Sequence, residues 1–200
     1  MIVPSIKSRP VYGRLAPRPG TSHLLLGDGE GGHALADLAA GASSEFLSRA
    51  HILYVRDGLG DDVPSERLAS VGAGTLCFAP TVASILPQLT HLLGSARMGT
   101  RLYLAGTEGL IGQAVAAALS AGLEMSAIQA EHRGSLARRV QCVHCKGVTE
   151  QVTTQPVQCS HCGLHLFVRD HYSRRLAAFM GVCIDAEEPG VVPVAEDIFK

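Results

Sequence analysis

Four of the six cysteines stand in two matched pairs, Cys142-Val-His-Cys145 and Cys159-Ser-His-Cys162, with thirteen residues between the pairs. Each CxxC turn can present two thiolates to one ion, and a spacer of this length suits a short hairpin that returns the second pair to the first. Four sulfurs close a tetrahedron and leave no open position, so the chemistry expected of Cys142, Cys145, Cys159 and Cys162 is that of a structural metal site, not of activated water. Tetrahedral thiolate sets suit zinc or iron. Two evenly matched knuckles favour a single ion over an iron-sulfur cluster, and zinc is preferred to iron. Gly163 follows the second pair and Lys146-Gly147 the first, close to where such a turn favours positive φ. His144, His161, His165 and His171 crowd the same segment. A complete thiolate set does not need them, and they read as surface residues or as neighbours of the sulfurs. Cys77 and Cys183 fall in apolar runs, where a thiol behaves as a small hydrophobe.

Two glycine turns are the other candidates. Gly27-Asp28-Gly29-Glu30-Gly31-Gly32 and Gly106-Thr107-Glu108-Gly109 each join an expected strand to an expected helix. In that setting Gly27, Gly29, Gly31, Gly106 and Gly109 could bring backbone amides to the phosphates of a nucleotide cofactor. Against this, Asp28, Glu30 and Glu108 place carboxylates inside the turns, where they would repel a pyrophosphate. The competing reading is a pair of strand-to-helix turns without a nucleotide, the second carrying its carboxylate at a helix start. Asp57, Asp61 and Asp62 read as a solvated turn, and no Ser/His/Asp, Cys/His or paired-carboxylate constellation stands out.

The elements that must position these residues follow from the apolar pattern. Residues 1–21, with prolines at 4, 10, 17 and 19, predict an extended arm. Strands are expected at 23–26, 51–55, 75–79, 101–105 and 125–130, and helices at 34–40, 82–93 and 109–121, with Pro87 kinking the second helix or shifting its start. The stretch 56–64 reads as turn. Strands alternating with helices imply crossover units and a parallel sheet, hence an α/β Rossmann-like domain over 22–132. The alternation then stops. Paired cysteines and β-rich runs at 151–154 and 164–168 predict a small zinc-ribbon, rubredoxin-like β domain over 133–186, and the acidic, proline-containing stretch 187–200 reads as an appendage. About 65 residues beyond the boundary hold too little core to be secure without a metal staple.

A hydrophobic fraction of 46% with 18% charged residues excludes a chain disordered throughout. No run is long enough for a membrane span, and the charged, proline-containing start lacks a signal peptide's apolar stretch, so a cytoplasmic protein is expected. The net charge of -1 gives no global steering. The segment from Arg133 to Arg175 is basic, with Arg133, Arg138, Arg139, Lys146, Arg169, Arg174 and Arg175 against Glu150 and Asp170. Those bases form either a docking face or a solvated surface.

Tyr103-Leu104-Ala105-Gly106-Thr107-Glu108-Gly109-Leu110, the alanine-rich stretch after it and Ile128-Gln129-Ala130-Glu131-His132 resemble the end of the nicotinamide-binding half of ferredoxin reductase-type flavoproteins. Ala105 stands where that family commonly has cysteine, and Thr107 where it commonly has proline. The whole chain, including VQCVHC, QCSHCGLHLFVRDHYSRR and AFMGVCID, resembles the small subunit of bacterial dimethylamine monooxygenases. That resemblance implies an assembly that demethylates dimethylamine to methylamine and formaldehyde with dioxygen and NADPH. It also implies a reductase subunit with flavin and an iron-sulfur centre, and a haem-bearing oxygenase subunit, as partners. Three functions follow as expectations: an accessory subunit that holds or aligns redox partners, a nicotinamide- or flavin-nucleotide-binding electron-transfer subunit, and a zinc-ribbon nucleic-acid module. The last is the least favoured, because stacking aromatics are scarce among the bases.

Overall fold

The computed structural model describes residues 9–56 and 63–200. Asp57, Asp61 and Asp62 therefore lie outside the described residues. The chain divides into two compact units, one from Tyr12 to Gly134 and one from Ser135 to Lys200 together with residues 9–11.

In the first unit five parallel strands, β1 (Ser22–Asp28), β2 (Ala50–Val55), β3 (Thr75–Ala79), β4 (Thr100–Gly106) and β5 (Ile128–His132), lie in the order β3-β2-β1-β4-β5. Among the described residues five helices connect or flank them: α1 (Gly31–Ala40), α2 (Ser44–Ser48), α3 (Val63–Ala69), α4 (Val82–Gly94) and α5 (Glu108–Ser120). Successive strand side chains point to opposite faces, so the sheet feeds two cores. Leu24, Leu26, Leu53, Val55, Leu102 and Leu104 pack with Ile85, Leu89 and Leu93 of α4 and Leu110, Ile111 and Ala114 of α5. Leu25, Ile52, Tyr54, Tyr103 and Ala105 pack on the other face with Leu35 and Leu38 of α1, Phe46 of α2 and Leu68 of α3. This is the doubly wound α/β layer structure that the alternation implies.

Several boundaries differ from the sequence reading. Pro87 does not shift the start of α4, because Thr81 and Ser84 form a capping box that fixes it. Residues 63–69, the first two of which fall in the stretch read as turn, form α3, whose Leu68 is buried. The expected strand at 125–130 opens with a 3-10 turn over Met125–Ala127, and pairing starts at Ile128, opposite Leu102. Residues 12–21 lie along this unit. Pro17 and Pro19 have no N–H to give, and side chains supply much of the attachment. The Gln129 amide bonds both N and O of Ala16 (3.1 and 2.8 Å), Glu131 accepts from Leu15 N at 2.8 Å, and Arg101 Nε donates to Pro19 O at 2.9 Å.

The second unit is a sheet of β6 (Arg138–Cys142), β7 (Val148–Val152), β9 (Val157–Gln158), β10 (His165–Ser173) and β11 (Ala178–Cys183), with a separate pair of β8 (Thr154–Gln155) and β12 (Glu196–Asp197). The order is β7-β6-β11-β10-β9; β6 and β11 run parallel and the other neighbours antiparallel. Its core is small: Val140, Val152, Leu166, Val168, Tyr172, Phe179 and Phe199. The stretch 187–200, expected as an appendage, ends inside this core. β12 pairs with β8, Phe199 is buried, and the Arg138 guanidinium lies 4.0 Å from the ring centres of both Phe199 and Phe179. Arg138 also donates to Asp170 at 2.8 Å.

Candidate metal centre and the crevice at the strand ends

The first knuckle joins β6 to β7, and the second joins β9 to β10. The two are built alike. Cys142 O accepts from Lys146 N at 3.0 Å and Cys142 N donates to Gly147 O at 2.9 Å; Cys159 O accepts from Gly163 N at 3.0 Å and Cys159 N donates to Leu164 O at 2.9 Å. The fifth residue of each knuckle takes positive φ, Lys146 at 66° and Gly163 at 76°. In the first knuckle it is thus Lys146, not the neighbouring glycine, that adopts the left-handed conformation. Gly147 is needed for a different reason. A Cβ there would collide with the His161 ring, which packs over the turn and hydrogen-bonds Val148 O through Nε2 at 3.0 Å.

These turns bring all four Sγ atoms within 4.8 Å of one another, Cys142 to Cys162 at 3.8 Å and Cys145 to Cys159 at 3.7 Å. Zinc-sulfur bonds of about 2.3 Å define a tetrahedron with edges of about 3.8 Å, so the sulfur set can hold a metal ion of that size. The backbone is arranged for thiolates as well, with Gly147 N donating to Cys145 Sγ at 3.4 Å. Burial pushes the Cys159 thiol up, but the backbone N–H groups of Cys162 and His161 and the thiols of Cys162 and Cys145 bring it down to about 6. At Cys162 the Leu164 N–H favours the thiolate, yet burial and the three other sulfurs leave it pushed up to about 12. Like charges this close cannot all ionise without a cation among them. His161 serves the backbone, and none of the four histidines of this segment belongs to the cluster. Cys183 is half-buried and donates to Asp185 Oδ1 at 3.1 Å, and Cys77 donates to Gln88 Oε1 at 2.7 Å, so neither joins the sulfur set.

The glycine turns meet at the carboxyl ends of β1 and β4, the point where strand order reverses and doubly wound folds bind nucleotides. Here a side-chain pair links the two strand ends. The buried Asp28 carboxylate accepts from Thr107 N at 2.7 Å and from Thr107 Oγ1 at 2.6 Å, bridging the two strand ends. Gly106, at φ 133°, is required because a Cβ would collide with that carboxylate. A Cβ on Gly31 would strike the Ala105 carbonyl, and one on Gly27 would lie 2.9 Å from the Leu35 side chain. Gly29 takes φ 43° and its carbonyl accepts from Tyr54 Oη at 2.8 Å. Gly109 lies in the first turn of α5, where its carbonyl accepts from Gln113. Thr107 caps α5, and Glu108 accepts from Tyr12 Oη at 2.8 Å. Gly27, Gly31 and Gly106 thus allow close helix-on-strand packing around Asp28. The sequence reading saw Asp28 as repulsive to phosphate but missed its bond to Thr107; two hydrogen-bonding residues at the ends of expected neighbouring strands were the available signal.

The basic segment is less free than its composition suggests. Arg138 is buried against Asp170 and Arg139 pairs with Glu150 at 2.9 Å in the ribbon unit, while in the α/β unit Arg133 pairs with Glu131.

Residues 4–128 match the N-terminal domain, and residues 139–182 the C-terminal domain, of the family described as dimethylamine monooxygenase subunit DmmA-like. The heme-dependent oxidative N-demethylase delta subunit of Ectopseudomonas mendocina (strain ymp) is 39% identical over 148 residues, covering 70% of this chain and 85% of the relative. Among solved structures, a phthalate dioxygenase reductase aligns over 70% of this chain and 46% of its own, with 11% identity and a TM-score of 0.46. The ferredoxin reductase of a carbazole 1,9a-dioxygenase aligns over 57% of this chain and 34% of its own, with 21% identity and a TM-score of 0.41. This chain thus spans less than half the length of either reductase.

Proposed function

Because this chain belongs to the dimethylamine monooxygenase subunit DmmA-like family, we propose that it is a non-catalytic subunit of an N-demethylating monooxygenase that holds its redox partners in register. The partners are a haem-bearing oxygenase subunit and a reductase subunit with flavin and an iron-sulfur centre. Together they convert dimethylamine to methylamine and formaldehyde with dioxygen and NADPH in the cytoplasm. Electron transfer slows steeply with distance, so a subunit that fixes partner geometry raises the rate without touching substrate.

The observation that carries this reading is the Asp28 carboxylate bonded to Thr107 at the place where a reductase of this fold would bind its nucleotide. Cys142, Cys145, Cys159 and Cys162 hold zinc in this reading, and the ion supplies a cross-link and no open coordination position. The chain's own residues orient that site: the two positive-φ knuckles aim the sulfurs, and the Gly147 N–H stabilises a thiolate.

The test is to reconstitute the oxygenase and reductase subunits with and without this chain. Co-migration of all three on sizing, with NADPH-driven demethylation reduced when this chain is omitted, is the expected result. Independent migration with unchanged turnover would remove the proposal. Titration with NADPH or FMN, expected to give no saturable binding to this chain, separates it from the electron-carrying alternative.

A further inference from the structure

A sheet that packs one face on a core is expected to turn polar residues outward on the other. The antiparallel pair β10 and β11 of the ribbon departs from this. Leu166 and Val168 of β10 and Phe179 of β11 point into the core, and Phe167, Met180 and Val182 alternate with them and so face the other way. Phe167 lies opposite Val182, and Met180 opposite Arg169, which places all four side chains on one outer face. Phe167, Met180 and Val182 join none of the apolar clusters of the described residues, and Phe167 is 41% exposed. The charge around them has one sign. Arg169, with Arg174 and Arg175 in the turn from β10 to β11, is exposed, and no carboxylate pairs with these three among the described residues. Asp170 of β10 and Glu150 of β7 are engaged by Arg138 and Arg139.

We infer that this outer face is a docking surface for an acidic face of the electron-donating reductase subunit, an inference that rests on the reading of this chain as the subunit that holds the redox partners. An aromatic ring, a methionine and arginines are the residue types enriched where proteins meet, and the methionine can adapt its shape to a partner. Unpaired guanidinium groups around an apolar centre steer an acidic surface into contact and fix its orientation. A contact with so few apolar side chains forms quickly and releases, which suits a component that must return to NADPH between deliveries of electrons better than it suits a permanent neighbour. Nucleic acid would use the arginines but not the rest of the face: Phe167 is its one aromatic, and Met180 and Val182 offer a base no stacking surface.

The test uses the full chain with the purified reductase subunit as probe. Saturable binding that weakens as salt is raised is expected, with Phe167 and Met180 less oxidised by hydroxyl radicals in the complex than in the free chain. Arg169→Glu, which sets a like charge against the acidic partner, should weaken binding about tenfold or more, and Phe167→Asp should do the same. Unchanged metal content and amide dispersion check that both variants fold. Met98→Asp, at a 96% exposed position of the α/β unit, should bind as the unaltered chain does. Binding that is unchanged in Arg169→Glu, or equal oxidation of Phe167 and Met180 in the free and bound chain, would overturn this inference and leave the accessory-subunit reading standing. So would protection of the face by the oxygenase subunit or by single-stranded DNA in place of the reductase. Failure of the chain to bind either subunit would remove both.

Discussion

The two units of this molecule solve the problem of stability differently. The α/β unit has helices on both faces of its sheet and two cores whose leucines and aromatic residues are nearly all inaccessible, so apolar burial suffices to hold it. The ribbon unit has one thin core in which two of the buried residues are cysteines of the sulfur cluster. Where apolar residues run out, the chain substitutes a four-sulfur cluster at one end and an arginine pressed between Phe179 and Phe199 at the other. Small domains need such cross-links because the core shrinks faster than the surface as a chain shortens.

The largest effect should come from the sulfurs. Structural zinc contributes roughly 10 kcal/mol or more to folding of a small site. Replacing Cys142 with Ser should therefore unfold the ribbon, seen as loss of dispersed amide signals from residues 138–183, with the signals of residues 22–132 retained. If the ribbon stays folded, its apolar core is sufficient and the contrast fails.

Next in size is a cavity in the other unit. Leu104→Ala, at a fully buried position of β4, should cost about 3 kcal/mol of α/β stability by denaturant titration and leave the metal content unchanged. Arg138→Ala should cost the ribbon about 2 kcal/mol, through lost ring contacts and the lost bond to Asp170, and should release the chain end, read as faster proteolysis near Phe199. A silent Arg138→Ala would mean that the metal alone holds the ribbon.

Smaller effects sharpen the picture of the crevice. Thr107→Val removes a helix cap and a bond to the Asp28 carboxylate, and should cost about 1.5 kcal/mol without creating NADPH affinity. Least of all is the surface pair Arg67 and Asp37. The hydrogen bond from Arg67 holds the Asp37 carboxyl below its usual range, so its stabilisation is present above the unfolded pKa and lost as pH falls through the folded one. Because Asp37 is 65% exposed, Asp37→Asn should cost about 0.5 kcal/mol or less at pH 7, and the difference should vanish in acid.

How much of this was legible depended on the range of the contact. The sulfur cluster was readable because each CxxC is a local turn whose spacing carries its chemistry. The sheet was readable because strand and helix periods show in short windows. The roles of Gly31 and Gly106 were not, since the atoms that exclude a side chain there, the Ala105 carbonyl and the Asp28 carboxylate, come from other strands. The docking of Phe199 was hidden for the same reason, its partner Arg138 lying far off in sequence among bases that looked exposed. The helix at 44–48 was too short to show a period, and Ser43, which caps it, was the only local cue.

The most direct measurement is amide hydrogen exchange on the full chain before and after the metal is stripped with a chelator. Loss of protection across residues 138–183, with β1 to β5 protected as before, is the predicted result. Ribbon amides that remain protected once the metal is gone, or both units losing protection together, would contradict the account.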